Sequence, residues 1–263
     1  MCTVWEEKRM RNVLSIIHYE CKMFFFRLAT WGVLLVATLV ALLDNFPSVE
    51  NLARLEFLAQ PVYFIYRTMS IDGLILIFGL MFLLSSRIPV DKKTGVHSLF
   101  LAAPISKGQY VIGKLLSGFI YTLTMIALFI SLNTVVYAAF SPFDAHMMDY
   151  VTPLIKVLIV SGLPVSFFIG CCAVALPALM DIRLFYFLIS VVFILNAMVV
   201  SSAEKKPFYL IISGDLLKLL WQHPEFPFHD MGSVMANLCF LIGSGLLSGI
   251  MLLRKRKFWR TES

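Results

Sequence analysis

The sequence predicts an all-α polytopic membrane protein. It has six transmembrane helices, an amphipathic N-terminal interfacial helix, a cytoplasmic helix between spans two and three, and both termini in the cytoplasm. Three observations carry this. Of 263 residues, 59% are hydrophobic and 14% charged, against about 45–50% and about 25% in a soluble domain. The mean hydropathy is +0.85. The apolar residues gather in runs close to the roughly 20 residues that cross about 30 Å of hydrocarbon. The basic residues are also distributed unevenly between alternate connections.

Residues 1–27 read as an amphipathic helix lying in the cytoplasmic interface, with apolar Val13, Ile16, Ile17, Met23 and Phe24 and charged Arg9, Arg11, Glu20 and Lys22. A signal peptide is not expected, because acidic residues precede the first apolar run and no small-residue cleavage site follows it. The first span is Leu28 to Leu43, extendable backwards through Phe24–Phe26 if Arg27 snorkels. The second ends at Ser86 and has a vague start, as early as Val62, which would set Arg67 and Asp72 near the outer interface. The third is Leu115–Phe140, the fourth Val157–Met180, the fifth Leu184–Val200 and the sixth Val234–Leu253. Outer loops cover 44–66, 141–153 and the long 201–233, in which Asp215–Trp221 has the pattern of a short amphipathic helix.

With the N-terminus inside, 16 of the 22 Lys and Arg residues fall on the inner side, including Arg254–Lys257 directly after the last span. Lys and Arg accumulate in cytoplasmic loops, and this split sets the orientation. A basic run directly after an apolar helix reads as an anchor on anionic lipid rather than a nucleic-acid site.

Catalytic machinery is scarce. There is no GxxxxGK[ST] phosphate loop and no HExxH pair, so the chain is expected to be neither catalytic nor cofactor-binding. Asp72 and Asp181 fall at opposite faces of the bilayer, and Asn133 and Asn196 read as hydrogen-bonding between helices. His223 and His229, in a Pro-stiffened outer stretch with Glu225 and Asp230, are the one candidate metal pair, and their spacing fits no standard motif. The five cysteines suggest no disulfide framework, and Cys171–Cys172 reads as packing. Gly245-x-x-x-Gly249 in the sixth span is a small-residue packing motif.

The inner segment 87–114 is more than a polar connector. It holds an apolar stretch, Val96 to Ile105, framed by Asp91-Lys92-Lys93 on one side and Lys107 on the other. Thr94 is a candidate helix N-cap, and Pro104 ends the helix at or before Ala103. The two-turn helix so defined exposes Leu99, Phe100 and Leu101 to the membrane surface or to a soluble partner's groove.

Thr94-Gly95, Leu99-Phe100-Leu101, Ala102-Ala103-Pro104-Ile105-Ser106, Tyr110 and Gly113-Lys114 together resemble the cytoplasmic connector of type 2 ATP-binding-cassette (ABC) exporter permeases. Six spans, an amphipathic N-terminal helix, a basic C-terminus and a long loop before span six are similar to that family as well. The likeness covers the whole chain in architecture and about 25 residues in motif. Many members carry Glu-x-Glu or Glu-Arg where this chain has Asp91-Lys92-Lys93.

The resemblance implies a single permease domain over 1–263, in the plasma membrane of a prokaryote (the cell inner membrane). It implies a separate cytoplasmic ABC ATPase subunit carrying ATP and Mg, and a second permease subunit, identical or homologous. Asp91, Lys92, Thr94, Gly95, Leu99, Phe100, Leu101 and Pro104 then form the ATPase-coupling set. Sparse deep charge favours an amphipathic peptide, a lipid-linked molecule or a drug as cargo. A non-transporting membrane scaffold that anchors a soluble complex is the alternative, and an intramembrane enzyme is a third and weaker one.

Overall fold

The computed structural model describes residues 2–45, 60–95, 105–140, 146–201, 219–220 and 231–255. Every regular element among them is helical. α1 (Cys2–Phe25) and α2 (Leu28–Asn45) meet at a bend of 62°. The Phe24 carbonyl accepts from the Thr30 hydroxyl at 2.8 Å, and the Phe25 carbonyl accepts from the Trp31 indole at 2.8 Å. Carbonyls of α1's last turn are thus bonded both by the Arg27 backbone N–H, to Phe24 at 3.2 Å, and by side chains of the next helix. A continuous helix through Phe24–Phe26 is therefore not formed. Arg27 sits in the break and donates to Ser86 Oγ at 3.4 Å.

The vague start of the second span resolves at Pro61. α3 (Pro61–Arg67) passes through a π-helical turn, Thr68–Asp72, into α4 (Gly73–Ser85), and α5 (Arg87–Lys93) follows after Ser86. Pro61 stands at the first helical position, where its missing N–H costs nothing. Asp72, expected near the outer interface, is buried.

α6 (Lys107–Phe140) is about 51 Å long at 1.5 Å per residue. It begins eight residues before the expected third span, so its first two turns extend past the apolar stretch. A capping box starts it. The Ser106 backbone N–H donates to Gln109 Oε1 at 2.8 Å, and the Gln109 N–H donates to Ser106 Oγ at 3.3 Å.

α7 (Met147–Val157) runs through a second π-helical turn, Leu158–Gly162, into α8 (Leu163–Leu179). Most of the expected loop 141–153 is therefore helix; Asp149 reaches back to accept from the His146 N–H at 3.0 Å and starts it. α9 (Ile182–Ser201) and α10 (Met231–Arg254) complete the bundle.

Among the described residues, four helices are long and apolar enough to cross a membrane: Pro61–Asp91, Lys107–Phe140, Met147–Leu179 and Val234–Arg254. The α1–α2 pair, bent by 62°, makes a fifth when the two helices are counted as one span. α9 has a shorter apolar stretch, Ile182–Ala197.

α6, α8 and α10 form the centre, and α1 lies along the start of α6. α6 and α8 cross at Gly118 and Gly170: a Cβ on Gly118 would meet the Gly170 carbonyl oxygen at 2.8 Å. Gly245 and Gly249 instead face side chains, Phe167 of α8 and Leu115 of α6, so that motif seats side chains rather than two backbones. Phe24 stacks on Tyr121 at 4.5 Å and Phe64 on Tyr137 at 4.0 Å. Asn133, expected to bond between helices, donates to the Phe129 carbonyl of its own helix at 2.8 Å, and its Oδ1 is buried without a partner. Cys171 and Cys172 are buried free thiols.

Candidate functional site

Three helices bring four charges into the protein at one end of the bundle. Along α1, Ile16, Glu20 and Phe24 recur every fourth residue, so Glu20 lies on the stripe that packs against the rest of the chain. On α5, Arg87 and Asp91 are four apart; on α6, so are Tyr110 and Lys114. All five polar side chains are buried, with Arg87 and Lys114 at 1% exposure and Glu20 at 3%.

The contacts form one network. Arg87 Nε and Nη2 donate to Glu20 Oε2 at 3.1 and 2.8 Å. Lys114 Nζ takes the other oxygen, Oε1, at 2.7 Å, and also pairs with Asp91 Oδ2. The Tyr110 hydroxyl donates to that same Asp91 oxygen at 3.1 Å. The Arg87 guanidinium lies 4.9 Å from the Phe24 ring centroid. Two carboxylates face two cations, so the cluster is neutral as a whole. A lone buried ion is costly, and pairing with full hydrogen bonding offsets that cost.

Local sequence explains the convergence. A Cβ on Gly113 would meet the Ile16 side chain at 2.8 Å, so this glycine is what lets α1 come close enough for Glu20 to reach Lys114. At the far end of α5, the Thr94 hydroxyl donates to the Val90 carbonyl at 2.9 Å. Gly95 has φ of 75°, a left-handed conformation that favours glycine and ends the helix. Thr94 thus closes the helix before it; any role at the start of a following helix falls on 96–104, outside the described residues.

Of the expected coupling set, Asp91 enters the network and points inward. Lys92 lies on α5, and Thr94 and Gly95 form its exposed end. Leu99, Phe100, Leu101 and Pro104 lie outside the described residues, as do His223 and His229. Among the described residues, no group of three or more His, Cys, Asp or Glu side chains converges.

Glu20, Arg87, Tyr110 and Lys114 were not singled out from the sequence as a site. Their signal was the four-residue spacing: a Glu between Ile16 and Phe24 on an apolar stripe, and two i, i+4 polar pairs flanking the connector. Arg87 counted there as a topological charge, and Tyr110 and Lys114 as parts of the connector motif, whereas all three side chains are inside the protein.

Chemically, the cluster pairs two carboxylates with two cations and one phenol. It is a clasp. Asp91 stands before the segment 96–104 and Tyr110 and Lys114 stand after it, so the two ends of the connector are bonded to each other and to α1.

Comparison with known proteins identifies no relative: no family model, no curated protein and no solved structure matches this chain.

Proposed function

We propose that this chain is the transmembrane permease subunit of an ATP-driven ABC exporter. It would have six spans, with both termini cytoplasmic, in a prokaryotic cytoplasmic membrane. A separate ATPase subunit carries ATP and Mg, and a second permease, identical or homologous, completes the translocation path. The cargo is an amphipathic peptide, a lipid-linked molecule or a drug. The six spans are α2, the run from Pro61 to Ser85, α6, the run from Met147 to Leu179, α9 and α10.

The observation that carries the proposal is the clasp. A segment with the sequence pattern of a coupling helix is held at both ends by buried ion pairs that reach α1 and the start of α6. On this reading, a docked ATPase that moves Leu99–Leu101 acts on α5, α1 and α6 together. ATP drives transport on this scheme only if the ATPase binds the inward and outward arrangements with different free energy.

The test is a pull-down of the ATPase subunit on Leu99→Asp, Phe100→Asp and Leu101→Asp, with transport measured beside it. Burying one such side chain stabilises a complex by about 1.5–3 kcal/mol, and an Asp there also places a charge in an apolar cleft. Phe100→Asp should lower ATPase affinity roughly a hundredfold while membrane insertion survives. Full binding and transport by all three variants would exclude this segment as the coupling element. Binding of a soluble complex with no ATPase among its members would favour the scaffold.

A further inference from the structure

An apolar groove lies apart from the charge cluster, where α4, α8, α9 and α10 meet. Met81, Leu176, Ile189, Phe240, Leu247 and Met251 are among its walls, and its volume is about 280 Å³. Its two serine hydroxyls bond within their own helix. Ser244 Oγ donates to the Phe240 carbonyl at 2.6 Å, and Ser248 Oγ donates to the Gly245 carbonyl at 2.8 Å. The groove opens sideways, since Leu188 and Leu247 line it and are 42% and 58% exposed. Along α10 the wall from Phe240 to Met251 is about 16 Å long at 1.5 Å per residue. One leaflet is half of about 30 Å of hydrocarbon, so the groove has the depth of one leaflet.

One end of the groove is basic. Lys255, one turn past Met251, donates through Nζ to the carbonyls of Ala178 and Leu179 at 3.1 and 2.6 Å, beside Met180 of the groove wall. Arg183 and Arg254 stand exposed on the two flanking elements. Asp181, the acid in the same turn, accepts the Arg183 backbone N–H at 2.8 Å and so caps α9. Among the described residues, the rim therefore carries three cations, and the Asp181 carboxylate beside them bonds a helix start.

We propose that this groove binds one acyl chain of an anionic phospholipid of the bilayer, with the lipid phosphate at the rim of Arg183, Arg254 and Lys255. A groove walled mainly by apolar side chains suits a hydrocarbon chain. Its leaflet-length depth suits a chain that starts at the headgroup level, and the basic rim there suits a phosphate. The inference needs only that the chain resides in a bilayer; it holds or fails separately from export and from ATPase docking.

The experiment reconstitutes the full chain in vesicles of equal phosphatidylcholine and phosphatidylglycerol. The chain is then extracted in mild detergent, and retained phospholipid is identified by native mass spectrometry. Phosphatidylglycerol should be enriched about tenfold over phosphatidylcholine, and the combined Arg183→Gln, Arg254→Gln and Lys255→Gln variant should bring the ratio to about one. A second measurement locates the tail: a Phe240→Trp reporter, read as the difference from its parent, should be quenched more by acyl-brominated phosphatidylglycerol than by equally brominated phosphatidylcholine. Equal retention of both lipids by the unaltered chain overturns the proposal without any variant. So does a ratio that the triple variant leaves unchanged, or a second protein copy found in the groove in place of lipid.

Discussion

Glu20 holds the buried cluster together, because its two oxygens serve different cations on different helices. Removing its charge leaves Arg87 and Lys114 with Asp91 alone. Breaking a buried pair from one side costs about 3–5 kcal/mol, since the remaining ion stays buried and uncompensated. Glu20→Gln should therefore lower the thermal unfolding midpoint of the detergent-solubilised chain markedly. Glu20→Gln combined with Lys114→Met restores charge balance and should lose less than the sum of the two single changes. Strict additivity in that cycle would mean the two side chains do not act as a pair. Tyr110→Phe deletes one hydrogen bond to a carboxylate, a contribution of about 1.5–3 kcal/mol. It should be the mildest change in the cluster by the same measurement.

At the scale of the helices, the α6–α8 crossing decides how tightly the centre closes. A methyl group on Gly170 would overlap the backbone at Phe119, which cannot rotate away as a side chain can. Gly170→Ala should destabilise by at least the upper part of the range for overpacking, about 1–3 kcal/mol. Gly243→Ala on α10, with open space around it, should be close to neutral. Comparable unfolding midpoints for the two variants would show that this crossing is not the tight one. The α1–α2 bend has its own test. Thr30 donates to Phe24 and accepts from the Tyr121 hydroxyl at 2.9 Å, so Thr30→Ala removes the phenol's acceptor and leaves the Phe24 carbonyl with the Arg27 N–H alone, at 3.2 Å. Faster proteolysis near Arg27 is the expected readout.

Across the whole molecule, the uneven distribution of basic residues yields a topology experiment. A reporter fused after Ser263 should be active in the cytoplasm only, and one inserted near Glu225 outside only. Cytoplasmic activity at Glu225 would remove the six-span arrangement. The chain purified alone should not hydrolyse ATP, since it carries no phosphate loop; hydrolysis that persists after rigorous purification would contradict the assignment of that chemistry to a partner.

The all-helical class and most helix positions were legible in the sequence, because lipid demands long apolar segments whose backbone groups are all bonded internally. Length, hydropathy and punctuation by Pro and Gly carried that information locally. The same local signals misplaced the starts of α6 and α7, because Lys107–Lys114 and Met147–Thr152 are polar enough to read as loop and helical enough to extend a span. Charge was read locally too: Arg87 counted toward the inner side, Asp91 as a member of the coupling set and Lys114 as part of the connector motif. Only the tertiary structure decided that they are buried with Glu20. The physical reason is that burial of a charge depends on whether a partner from another helix arrives, here across 67 residues from Glu20 to Arg87 and 94 from Glu20 to Lys114. Periodicity along one helix shows which face a side chain occupies; it does not show what that face meets.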